Sequence, residues 1–413
     1  MKQLSKMMLA AVASVAFAAP AFAWDFGASG SNTASYNITS TKGSKDAVNT
    51  ISSGGVTSSA SSLALSSSHT DGTKTLSLSY TLDWDGNLDE TISLSGSSTV
   101  GGWTASGDIA YNRDSVGCSN AASDNTSTAI ASAPATCGIV GVHGEEDSAA
   151  VTLTDGTMTI TLGDSSHLAN QNVSSGGAAG GSVSFDTADD EISVGAFVGS
   201  FNGVSLGYAI SDTMSVTVAL QASGDQNDLC GAQEFQDSDA NAGTSGTGAS
   251  FSGTFGSIGV GATFCSASTK DAGTASAAGG STSTSSSTMG VGVSMDFGDL
   301  DPFISFGTYS AVGATTLKGT AGVGNELGLT YALGNDSVVL YYGSVSEIDT
   351  AATTGLAGDP ITITGMELGY NTTLGPASLQ VGYGTQSKAQ ATEGSTVDGF
   401  SMTDIEIAMT YSF

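Results

Sequence analysis

Positive charge is what this chain has least of. Its 413 residues include nine Lys and Arg against 39 Asp and Glu, and Arg113 is the sole arginine. A nucleic-acid-binding protein needs a clustered basic footprint, which so few cations cannot build. Proline numbers only five, which excludes a proline-rich linker or scaffold. Cysteine numbers four, with no C-x-x-C spacing, and His69, His143 and His167 are the only histidines. That leaves no zinc-ligand set of familiar spacing. Charged residues of both signs make up 12%, about half the share of an ordinary soluble domain, near 25%. Beyond residue 23 no apolar run approaches the roughly 20 residues of a spanning helix.

What the chain has instead is glycine, 57 residues of it, with much Ser, Thr and Ala. It opens with a secretory leader over 1–23. Lys2 and Lys6 make the charged region, Met7 to Ala19 the short apolar stretch, and Ala21-Phe22-Ala23 a small-residue cleavage site. Removing the leader with its two lysines leaves seven basic and 39 acidic residues, a formal charge of −32. The exported part, 24–413, reads as one domain. An exported chain without spanning helices crosses a membrane only as a closed β-barrel, because only that form otherwise satisfies every backbone group in lipid.

The C-terminal segment reads DIEIAMTYSF. Ile405, Ile407, Met409, Tyr411 and Phe413 share one parity, and Asp404, Glu406, Ala408, Thr410 and Ser412 the other. Period 2 marks a strand with one apolar face, and ending on an aromatic residue suits an interfacial girdle. Similar alternation occurs at Leu76–Trp84, Thr157–Leu162, Met214–Leu220, Leu327–Leu333 and Leu379–Tyr383. Short turns are expected at Asp71-Gly72, Asp155-Gly156, Asn202-Gly203, Ser211-Asp212-Thr213 and Gly334-Asn335-Asp336. Long polar segments fall at 41–55, 113–146, 164–189, 224–247, 266–287, 347–360 and 386–398. Alternating short turns and long loops predict an all-β protein, a closed antiparallel transmembrane β-barrel of 16–18 strands with long extracellular loops. About twenty segments can be counted, two of them short ones between 181 and 200. A barrel of this size holds water rather than a packed core, which accounts for the small polar residues on the inward parity.

Exported cysteines meet an oxidising compartment. The local pairing, Cys118 with Cys137 and Cys230 with Cys265, is the expectation, and four cysteines leave two other connectivities open. Asp83, Asp85, Asp89 and Glu90 crowd a tight turn with oxygen ligands of the kind Ca2+ takes. The twelve-residue calcium-loop spacing is absent, so a polar hairpin turn competes with that reading. Otherwise no cofactor is expected. Gly203-Val204-Ser205-Leu206-Gly207 matches G-x-S-x-G, but that motif works from a strand–turn–helix elbow and none follows here. The histidines read as exposed loop or turn residues without catalytic partners, so an enzyme is not expected.

Three stretches resemble the trimeric Gram-negative outer-membrane porins. They are Ala149 to Gly163 (AAVTLTDGTMTITLG), Asn325 to Leu333 (NELGLTYAL) with the strand Val338–Tyr342, and the terminal Tyr411-Ser412-Phe413. The resemblance implies a passive diffusion channel for small hydrophilic solutes in the outer membrane of a Gram-negative bacterium. It also implies a homotrimer, and a C-terminal signal at Tyr411 and Phe413 read by the barrel-insertion machinery. Segment 163–191 would fold into the lumen as a constriction loop bearing Asp164, Asp186, Asp189, Asp190 and Glu191. In the family such acids face arginines across the pore. Here Arg113 is the one arginine available, so an eyelet dominated by carboxylates and a cation preference are expected. Acidic loops beside lipopolysaccharide would need divalent ions to bridge like charges; an acidic surface suited to salty surroundings explains the composition equally well. A secreted or surface adhesin rich in Ser, Thr and Gly is the rival reading, and it predicts a fixed repeat of 20–50 residues that the sequence does not show.

Overall fold

A computed structural model describes residues 25–42, 50–84, 88–114, 145–169, 171–174, 193–196, 201–222, 243–270, 283–312, 319–349, 361–390 and 400–413. The described residues are strands and tight turns, and none of their helices could cross a membrane. The first strands are β1 (Asp25–Lys42), β2 (Thr50–Asp71), β3 (Lys74–Trp84), β4 (Leu88–Val100), β5 (Trp103–Asp114), β6 (Glu145–Thr154) and β7 (Met158–Ser165). Next come β8 (Gln171–Ser174), β9 (Ser193–Ala196), β10 (Phe201–Ser211), β11 (Met214–Ala222), β12 (Gly243–Phe255) and β13 (Ile258–Lys270). The chain finishes with β14 (Ser283–Met295), β15 (Leu300–Val312), β16 (Gly319–Leu333), β17 (Asp336–Asp349), β18 (Ile361–Leu374), β19 (Ala377–Gln390) and β20 (Phe400–Ser412).

Eighteen of these strands form one sheet, and β8 with β9 forms a separate two-stranded piece. Each strand of the large sheet pairs with its neighbours in the chain, β7 pairs with β10 across the insertion, and β20 pairs with β1. The result is a closed 18-stranded antiparallel barrel with no free edge. Strands such as β13 and β16, of 13 and 15 residues, exceed the ~9–11 residues a tilted strand needs to cross the hydrocarbon. By internal packing there are two compact units. One centres on β3–β5, with parts of β1, β2 and β6 and the last residues of the chain. The other holds β7–β19 with most of β20.

The tight turns share one topological position. Positive-φ glycines at 72, 101, 102, 156, 256, 298, 334 and 375 close the connections β2–β3, β4–β5, β6–β7, β12–β13, β14–β15, β16–β17 and β18–β19, and Asp212-Thr213 closes β10–β11. Each joins an even strand to the next odd one, so antiparallel alternation puts them all at the same strand ends. Glycine suits them because the first central position of a two-residue I′ or II′ hairpin turn asks for φ above zero, as at Gly375 before Pro376. Asp155 reinforces its turn: its Oδ1 accepts the N–H groups of Thr157 (2.9 Å) and Met158 (2.7 Å). These hydrogen bonds hold its carboxyl below the ordinary aspartate value.

Four of the five expected short turns are present. The fifth is corrected: Asn202-Gly203 lies inside β10, paired with Asp164 and Gly163 of β7. Strands also extend into segments read as loops; β2 starts at Thr50, β13 runs on to Lys270 and β14 starts at Ser283. Ser/Thr-rich strand ends look like loop by composition, yet cross-strand hydroxyl pairs fit them to the ladder. One of the two short segments expected between 181 and 200 is β9. The leader over 1–23 lies outside the described residues.

Candidate functional site

Side-chain parity divides every described strand. In the β7–β19 unit, Leu162, Leu206, Tyr208, Val218, Leu220, Phe264, Met289, Ile304, Leu327, Leu340 and Leu368 are each about 40–60% exposed and share one side of the sheet through their register. Leu76, Leu78, Ile92, Leu94 and Ile109 do the same in the other unit. So much exposed aliphatic surface suits hydrocarbon, not water. The opposite parity carries glycine, Ser, Thr and acids. Ser205, Gln221, Thr263, Thr288, Ser305, Glu367, Gln386 and Asp404 are all buried on it. In a closed barrel this parity faces the lumen. Aromatic residues close to the tight turns, including Trp103, Phe255, Phe297, Tyr331 and Tyr370, fall on the apolar side as a girdle would.

The chain turns into the lumen directly after β7. Gly163, at φ 115°, begins the departure, and residues 166–169 run along the inner wall. His167 is latched at both nitrogens, with Nε2 2.9 Å from the carbonyl of Gly163 and Nδ1 2.9 Å from the Ser205 hydroxyl. The carbonyl can only accept, so Nε2 carries a proton. The ring lies 4.7 Å from that of Phe201, tilted by 43°. Leu168 packs with Phe201, Ala219, Cys265 and Ala267, and burying such a side chain contributes about 1.5–3 kcal/mol. The Ala169 N–H donates to Ser250 Oγ at 3.4 Å, and Thr263 Oγ1 donates to the Ala169 carbonyl. Farther on, β8 and β9 lie against β13–β17.

His167 is therefore not an exposed loop residue; it is 6% exposed. His69 is a half-buried member of β2, opposite Leu76, and His143 lies outside the described residues. The Ser205–His167 contact within the G-x-S-x-G stretch is not a catalytic pair. Both residues are buried, Ser205 sits in mid-strand, and the imidazole's other nitrogen is spent on a backbone carbonyl rather than an orienting carboxylate.

Of the expected eyelet residues, Asp164 is in β7 opposite Asn202, on the parity of Leu162 and Val204, so it belongs to the outward side. Arg113 lies in β5 as the register partner of Glu90. Counting residues from a motif cannot reveal parity; strand register can. Asp186, Asp189, Asp190 and Glu191 lie outside the described residues. Lumenal carboxylates that the sequence reading missed come from the strands themselves. In the first unit these are Asp83 of β3 and Asp108 of β5. In the second, Glu326 and Glu367 are inward. Their alternation with glycine (Gly322, Gly324, Glu326, Gly328) was the available signal. Lys74, the basic residue whose side chain is among those described, is on the other parity.

Of the calcium candidates, Asp83 is on the lumenal parity, whereas Glu90 is on the other side and accepts a hydrogen bond from the Tyr80 hydroxyl at 3.0 Å. Asp85 lies outside the described residues, and no group of three or more His, Cys, Asp or Glu among the described residues is placed to hold a metal. Cys265 is fully buried and disulfide-bonded. Its partner is one of Cys118, Cys137 and Cys230, all of which lie outside the described residues. At the chain's end, Phe413 exchanges two backbone hydrogen bonds of 2.9 Å with Gly30. Its ring covers that glycine so closely that a Cβ there would meet it at 2.5 Å. Tyr411 stacks beside it, with ring centroids 6.1 Å apart.

No family model and no curated protein matches the sequence. Solved structures do match in shape. The outer membrane channel DcaP of Acinetobacter baumannii aligns with 94% of this chain and 97% of its own, at 14% identity and a TM-score of 0.51. An anion-selective porin from Comamonas acidovorans aligns with 94% of this chain and 100% of its own, at 12% identity and a TM-score of 0.49. The closed 18-stranded ring, its apolar outer face and the DcaP likeness together give this chain the porin-like fold of the outer-membrane β-barrels.

Proposed function

We propose that the protein is an outer-membrane diffusion channel that passes small hydrophilic solutes and prefers cations. The observation that carries this reading is the inner wall. Its described side chains are hydroxyls, glycines and the strand-borne carboxylates Asp83, Asp108, Glu326, Glu367 and Asp404. A low-dielectric tube lined by one sign of charge concentrates the opposite ion and repels its own. The segment latched by His167 and Leu168 narrows the tube and sets the size limit. No reaction is performed; solutes move down their gradients. The protein assembles as a homotrimer in a bilayer whose outer leaflet is lipopolysaccharide, and a disulfide ties Cys265 of β13 to a second part of the chain.

The test is electrical. Purified protein in a planar bilayer, with a tenfold KCl gradient, is expected to give a reversal potential of the sign set by K+ permeation. A Cl−-type potential overturns the selectivity, and an absence of conductance overturns the channel.

A further inference from the structure

The inner wall is not uniform. Strands β12–β16 line an open recess of about 440 Å3 toward the tight-turn end, within the range of small-ligand sites, ~300–1,000 Å3. Its floor is bare backbone: Gly261 and Gly292 are register partners, with Gly259 beside them. On one side stands Ser252, partner of Gly261; on the other, Ser305, partner of Gly292, leads to Glu326. Phe303, on the next rung, completes the lining.

Two features show that this place is organised rather than merely empty. The Glu326 carboxylate is held in position: Ser305 Oγ donates to its Oε2 at 2.8 Å, and the Tyr341 hydroxyl donates to it as well. The Phe303 ring is fixed too. It lies over Gly328, where a Cβ would come within 1.9 Å of it, and packs against Val339 and Tyr341. A pinned carboxylate and an immobilised aromatic ring therefore share a hydroxyl-edged recess whose lining includes no basic residue.

Resting on the channel reading above, we propose that this recess is a binding subsite for small solutes that carry a protonated amine. The ammonium donates to Glu326 in a charge-assisted hydrogen bond and meets the ring of Phe303. The glycine floor accommodates the solute's carbon body, and Ser252 takes a hydroxyl. Because the site opens on the lumen, it holds permeating amines briefly and raises their flux over that of neutral solutes of equal size.

The probe is n-butylammonium, with glucose and acetate as controls. In single-channel recordings in KCl, the amine is expected to produce resolvable blocks and the controls none. Glu326→Gln, which keeps the shape and the Ser305 contact, should weaken block about tenfold or more. Gly292→Val, which fills the floor without changing charge, should abolish it. Equal block in wild type and both variants, or equal block by glucose, overturns the subsite. Titration calorimetry on the detergent-solubilised wild-type protein decides independently of either variant's folding. Amine binding without KCl conductance sinks the channel reading and leaves the subsite standing; KCl conductance without amine binding does the reverse.

Discussion

Single residues here act through what they leave out as much as through what they contribute. Gly248 lets Leu168 approach so closely that a Cβ would lie 2.4 Å from Leu168 Cδ1. Gly248→Val should therefore expel Leu168 from its cluster, and Leu168→Ala should cost about 2–5 kcal/mol of local packing. In either variant the latched segment leaves the wall, and single-channel conductance and open-channel noise should both rise above wild type. Asp155 acts in the opposite way, through a positive contribution to its turn. Its folded-state pKa lies below the ordinary 3.8. Its stabilising effect is thus fully present above the unfolded value and is lost as pH falls through the folded one. Asp155→Ala should lower the urea midpoint, read by tryptophan fluorescence, at pH 7, and the gap from wild type should close as pH drops from about 4 toward 2. At this scale the sequence was only partly readable. Asp155-Gly156 declares its turn because both residue types have a local job. His167 gives no such sign, since its partners Ser205 and Gly163 become neighbours only when β7 and β10 pair.

Elements were far easier to read. The terminal strand, Leu327–Leu333 and Met158–Leu162 each show period 2 and each is a strand; the apolar parity is exposed in the terminal strand and at Leu327, Tyr331 and Leu333, while in β7 it is exposed at Leu162 and half-buried at Met158 and Ile160. Alternation is a local property, so it survives without knowledge of the fold. Face assignment for an isolated charge did not survive. Asp164 sits at a strand end where the pattern fades, and a one-residue error of register swaps lipid for lumen. The sealing element is the last turn of β20 against β1, held by Phe413 and Gly30. Deleting Phe413 removes two backbone hydrogen bonds and the ring that covers Gly30. The truncated chain should show a markedly smaller folded fraction in outer-membrane preparations, measured by protease resistance. Full resistance at wild-type yield would rule out a sealing role for this residue.

For the whole molecule, the closed ring implies cooperative stability. No strand can leave without exposing two edges to lipid. The protein should accordingly run faster on gels before boiling than after, and identical mobility in both states would be incompatible with a sealed barrel. Strand number was legible to within two, because the tally of alternating segments included β8 and β9, which belong to the insertion rather than the ring. The seam between the two ends of the chain has a further meaning for biogenesis. The open flank of β1 finds its partner only in β20, the last strand of the ring. All the intervening strands must therefore reach the envelope before the cylinder can shut. Until then the first strand has to be sheltered by something other than its own sequence.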